Sequence, residues 1–176
     1  MEYRGKYSIF NTDNIKTYPI FSRRNKVKID SFVKLDVICQ TRYEIPSSVR
    51  EKIKEVAFQI TKARKVKKPV IFFTGAHLIK NGLSPILLDL IKRNMVTLIA
   101  SNGAGAIHDF ELSLIGETSE DVPKALPEGK FGMAYEFAYI NETLRLGNIM
   151  KLGYGESLGK VMCDAHFRKK VLKSVL

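Results

Sequence analysis

Two stretches decide how this chain is read: "VIFFTG" (residues 70–75) and "LIASNGAGAIHDFELSLIG" (residues 98–116). Each opens as an apolar run of strand length and ends in a small polar residue next to glycine, Thr74-Gly75 in the first and Ser101-Asn102-Gly103 in the second. Uninterrupted apolar runs of this length fit strands buried on both faces of a parallel sheet. Between them, "LSPILLDLIKRN" (83–94) combines a proline at a helix start with helical apolar spacing. After the second turn, "AIHDFELSLIG" predicts another helix, stopped by Gly116. Strand, helix, strand, helix with short links is the βαβ signature, so the expected class is α/β, a parallel sheet with helices packed on it.

Upstream, Pro46-Ser47-Ser48 is a helix start signal, and Val49, Ile53, Val56, Ile60 and Ala63 recur at helical spacing behind it. This predicts an amphipathic helix with a basic outer face, its "KARKVKK" end lying at the negative pole of the helix dipole. Residues 1–45 read as an amino-terminal arm with one or two short strands, and residues 46–176 as the α/β domain that forms one globular unit with it. Downstream, "ETSEDVPKALPEGKFGM" (117–133) reads as a long surface loop or lid. Two helical segments separated near Gly147 follow, then a short basic amphipathic end, "DAHFRKKVLKSVL". No third strand of the "VIFF" kind is present, so the sheet is expected to be incomplete toward the C-terminus.

At 176 residues and 45% hydrophobic content, the chain suffices for one well-buried domain. No window reaches the roughly 18 apolar residues of a membrane helix, and the start lacks a signal-peptide core, so a soluble cytoplasmic protein without a membrane partner is expected. Cys39 and Cys163 lie far apart with no CxxC pattern, which predicts buried free thiols. The net charge of +11 is unevenly placed: residues 1–70 carry 17 Lys/Arg against 7 Asp/Glu, residues 71–140 carry 5 against 8. The charge therefore sits away from the glycine turns, and helix-end chemistry accounts for some of it without nucleic acid.

In open α/β sheets, ligands gather outside the carboxyl ends of the strands, where backbone N–H groups and helix N-termini face anions. Both turns belong to that edge: the glycines let a ligand approach, and Thr74, Ser101 and Asn102 offer groups for phosphate or ribose. The dinucleotide fingerprint fails, since its third glycine falls on His108, and a lone GxG also serves any tight strand-to-helix turn. His108 and Glu111 share a helical face while Asp109 is rotated by about 100°. They read either as a titratable histidine oriented by a carboxylate, or as a core histidine with helix-start acids. One histidine with one carboxylate supplies too few ligands for a metal, and none is expected. His77, in the first turn, is a second polar candidate or an exposed loop histidine.

The run from Val70 to Thr118 resembles the first half of the deoxyhypusine synthase-like family over roughly residues 68–120. The matching features are Thr74 at a strand end, "LIKNGL" from Leu78 to Leu83, Asn94-Met95-Val96, the glycine turn Gly103 to Gly105, and His108-Asp109. The resemblance implies a Rossmann-like parallel sheet flanked by helices, with NAD as cofactor held by Thr74, Gly75, His77, Ser101, Asn102, Gly103 and Gly105, and His108, Asp109 and Glu111 near the reacting carbon. It implies a transferase acting on a polyamine such as spermidine or a related amine, in a homotetramer with sites at subunit interfaces. Family members move an aminobutyl group to a lysine through NAD-dependent oxidation and an enzyme-lysine imine. This chain departs at Ala76-His77, where eukaryotic synthases carry Ser-Asn, and at Ile107-His108-Asp109, where they carry Glu-Glu-Asp. The family's late Trp-Gly-Lys segment has no counterpart, the chain having no tryptophan. The expectation is an amino-terminal portion of a divergent prokaryotic branch, inactive alone if it lacks the catalytic lysine. The alternative is a non-catalytic split module, or a basic-arm protein binding acidic partners, with Tyr3, Tyr7, Phe10, Tyr18 and Phe21 available to stack bases.

Overall fold

The computed structural model describes residues 5–7, 9 and 11–175. Tyr3 and Phe10 lie outside the described residues. The class is α/β: two small two-stranded sheets among helices. In the arm, β1 (Asn25–Lys28) pairs antiparallel with β4 (Glu117–Glu120), in the register Val27 to Thr118. The stretch 117–133, expected as a loop, thus begins as a strand and continues into the short helix α6 (Val122–Ala125). Alternation in "ETSE" places Thr118 inward, and four residues are too few for that period to stand out from the turn residues around them. In the arm, "LDVICQ" forms the helix α1 (Leu35–Gln40) instead of a second strand.

The parallel sheet consists of β2 (Ile71–Thr74) and β3 (Leu98–Ser101), paired so that Thr74 stands opposite Ser101. One face of this pair is open, contrary to the doubly buried strands expected: Phe73 is 78% exposed, and Ile71 and Leu98 are exposed beside it. Helix α4 (Ser84–Lys92) takes Pro85 in its first turn, where the missing N–H costs nothing. Helix α5 (Gly103–Ile115) starts three residues earlier than its apolar spacing suggests, because the Asn102 side chain caps it by accepting the Gly105 N–H at 3.1 Å. It ends where expected, at Gly116 with φ of 71°.

The core is helical. Helix α7 (Glu136–Ile149) presents Tyr139, Ile140 and Leu146 to α8 (Tyr154–Cys163) and α9 (Ala165–Val175), which contribute Leu158, Val161, Phe167 and Val171, with Phe110 of α5 closing the cluster. Burying each large apolar side chain contributes roughly 1.5–3 kcal/mol. Gly147 is not a break between helices: α7 runs through it, because Ser157 of α8 fills the space its side chain would need. α9 is capped by Asp164, whose carboxylate accepts the Phe167 N–H at 3.0 Å.

Helix α2 (Ser47–Lys65) forms as its spacing predicts, yet none of its residues is buried. Its carboxyl end is tied down by Arg64, whose guanidinium donates to the backbone carbonyl of Asn94 at 2.8 Å and to its side-chain oxygen at 3.0 Å. Both cysteines are free and exposed, not buried, since α1 buries nothing and Cys163 closes α8 on its outer side. Among the described residues, no helix is long and apolar enough to cross a membrane.

Candidate active site

The β2–β3 pairing brings the two glycine turns to one edge. Thr74 and Ser101 end their strands in register, and Gly75 lies against the Asn102 side chain. His77 is exposed at the first position of α3 (His77–Lys80), a single turn that packs on α5. Gly75, Ser101, Asn102 and Gly103 are all exposed, and a side chain at Gly103 would meet nothing closer than the Tyr154 hydroxyl at 3.6 Å. The N–H groups of Gly103 and Ala104 precede the first intrahelical hydrogen bond and so remain free for a ligand at the helix N-terminus. Gly105 is different: it is buried, and a β-carbon there would collide with the Ser101 hydroxyl. Its missing side chain lets α5 pack closely on β3.

The three titratable residues of α5 divide between two faces. Asp109 projects toward a concavity of about 320 Å3 between α4, β3 and α5, walled by Leu87, Ile91 and Ile99 and reaching Ser101. Desolvation there pushes its carboxyl pKa up. Ser84, on the same wall, has a buried hydroxyl without a hydrogen-bond partner among the described residues.

His108 and Glu111 face β4 instead. The His108 Nδ1 is 2.7 Å from the Thr118 hydroxyl, which in turn donates to Glu111 Oε2, while Glu111 Oε1 is 2.8 Å from Arg23 Nη1. The same Nη1 is 2.9 Å from Glu136 Oε1. Arg23 is held from the other side by Asn25, whose side-chain oxygen accepts its Nε at 2.9 Å. Burial alone would push the Glu111 carboxyl up, but the hydrogen bonds from His108, Arg23 and Thr118 outweigh it and hold it down to about 2. Glu136 goes the other way, because desolvation outweighs its single guanidinium contact.

These contacts fix the proton arrangement. An ionised Glu111 only accepts, so the one Thr118 proton points to it, and the Thr118 oxygen must accept from His108 Nδ1–H. The Nε2 takes no part in these hydrogen bonds, on a side chain that is 21% exposed. Glu111 is only 3% exposed and has both oxygens engaged, one by Arg23 and one by Thr118. Its partners Arg23 and Thr118, and Glu136 on the far side of Arg23, were not singled out by the sequence. Arg23 is one of many cations in the arm, whereas Glu136 carries a signal: it heads the apolar stripe of Tyr139, Ile140 and Thr143 on α7.

Among the described residues, no group of three or more His, Cys, Asp or Glu could hold a metal ion. Comparison with family models, with curated proteins and with solved structures returns no match, so the reading of this site rests on its own geometry.

Proposed function

We propose that the β2–β3 edge is a dinucleotide site of Rossmann-like type, and that the chain is a deoxyhypusine synthase-like, NAD-dependent transferase acting on an amine substrate. The observation that carries this reading is the register of Thr74 with Ser101, which sets two glycine turns and the N-terminus of a 13-residue helix side by side. The donor set fits a pyrophosphate: exposed N–H groups at Gly103 and Ala104, no side chain at Gly75 or Gly103, and hydroxyls at Thr74 and Ser101 for a ribose. Bound NAD would supply hydride acceptance from the carbon next to the substrate nitrogen. His108 lies five residues past Gly103, about 7.5 Å along the helix axis, and its Nε2 would receive the proton released by the substrate nitrogen. The Asp109 carboxylate gives the cationic end of the amine a counter-charge beside an apolar wall.

Isothermal titration with NAD tests the reading. Binding is expected to raise the melting temperature by about 5–10 °C at a hundredfold excess over Kd. Gly103→Val should abolish that rise by filling the approach to the helix N-terminus, while His108→Ala should keep binding and lose amine-dependent formation of NADH. No heat and no rise with the unaltered chain would remove the dinucleotide reading. Loss of NAD binding in His108→Ala would move the histidine from proton transfer to cofactor contact.

A further inference from the structure

We propose that α2 is a docking helix for an acidic amphipathic helix of another protein. The nineteen-residue α2 is attached at its carboxyl end through Arg64, and Val49, Ile53 and Val56 are exposed to between 43% and 59%. Most helical stability in proteins comes from packing an amphipathic face rather than from propensity. Val49, Ile53, Val56, Ile60 and Ala63 are spaced by alternating steps of four and three, the seam of a two-helix coiled coil. A shallow groove along Val49, Ile53, Val56, Ala57 and Ile60 follows that seam.

Charge selects the occupant. The positions bordering the seam are Arg50, Ala57 and Arg64 on one side and Lys52 and Gln59 on the other, with no acid on either border. Glu51 and Glu55 both fall on the outer face, and Lys54 is paired with Glu51 at 2.9 Å. Residues 47–68 hold eight Lys or Arg against two Glu. Two copies of α2 laid seam to seam would bring only basic or neutral borders together, which disfavours a second copy. The apolar stripe is a narrow seam of Val, Ile and Ala, without the Trp, Phe or Leu of a face that inserts into an anionic membrane. A helix carrying Glu at its bordering positions meets both the seam and its cations.

The test uses the full chain and two labelled synthetic three-heptad peptides with the same Ile/Leu seam, one with Glu and one with Lys at the bordering positions, followed by fluorescence anisotropy. The acidic peptide should bind at least about tenfold more tightly than the basic one. Ile53→Asp, on an exposed site that leaves the fold intact by circular dichroism, should abolish the binding. The double variant Arg50→Glu/Lys52→Glu should reverse the preference. Equal binding of the two peptides, or binding of neither, overturns the proposal. A dimer seen by sedimentation velocity and dissolved by Ile53→Asp overturns it in favour of a second copy. Retention on phosphatidylserine vesicles that Ile53→Asp abolishes and the acidic peptide does not compete away overturns it in favour of lipid.

Discussion

The Arg23 guanidinium of the amino-terminal arm is seated 2.8 Å from the Glu111 carboxylate of α5, both side chains shut off from solvent. Arg23 also faces Glu136, so a single buried cation stands between two acids. Removing it leaves two buried carboxylates without their shared guanidinium, Glu111 keeping only the hydrogen bonds on its other oxygen. Arg23→Met should cost about 3–5 kcal/mol at neutral pH, read by urea denaturation. The loss should shrink in acid, where protons replace the missing charge; a loss that stays constant down to pH 4 would mean that Arg23 acts through packing alone.

The two acids should titrate with opposite sign. Glu111 has a folded pKa of about 2 against an ordinary 4.5, so the unfolded chain binds more protons between these values. Its stabilisation is present above about 4.5 and is lost as pH falls toward 2, an effect of about 3 kcal/mol. Glu136 is raised by desolvation, so its contribution weakens the fold as pH rises through the ordinary value. Glu111→Gln should therefore flatten the acid limb of the stability profile, and Glu136→Gln should steepen it. Identical profiles for the two variants would contradict this assignment.

The features that were legible in sequence are those with strong local signals. Gly116 ends α5 through capping chemistry that needs no tertiary partner, and the apolar runs at 71–74 and 98–101 pair in parallel, whereas the Asn102 cap that starts α5 was read only as a group for a ligand. The features that were not legible depend on partners distant in sequence. Thr118 reads as a loop residue until β1 pairs with β4, and Arg23 is one basic residue among many until Glu111 and Glu136 surround it. The spacing of His108 and Glu111 told that they share a face, but the hydroxyl between them comes from another element.

That intervening hydroxyl gives a separate prediction. Thr118 is fully buried, and Thr118→Val keeps its volume while leaving His108 Nδ1 and Glu111 Oε2 without their shared partner. The expected cost is about 1–3 kcal/mol, with Thr118→Ser recovering most of it. Nitrogen chemical shifts of the His108 ring should show the Nδ1–H tautomer in the unaltered chain and a mixture in Thr118→Val. An unchanged tautomer would remove Thr118 from the positioning of the ring.

Gly105 separates packing from ligand contact. Its β-carbon position coincides with the Ser101 hydroxyl, while the Ser101 β-carbon is 3.5 Å away, an ordinary contact. Gly105→Ala should therefore destabilise by about 1–3 kcal/mol, because the α5–β3 interface is close-packed and cannot absorb an extra carbon. The clash is with one oxygen, so the double variant Gly105→Ala/Ser101→Ala should regain nearly all of that stability, a coupling readable in a double-mutant cycle. If Gly105 served a bound dinucleotide directly, the double variant would recover stability without recovering NAD binding. Recovery of both, with only the small loss expected for one missing hydroxyl, would assign Gly105 to the scaffold and leave Gly75 and Gly103 as the glycines that face the ligand.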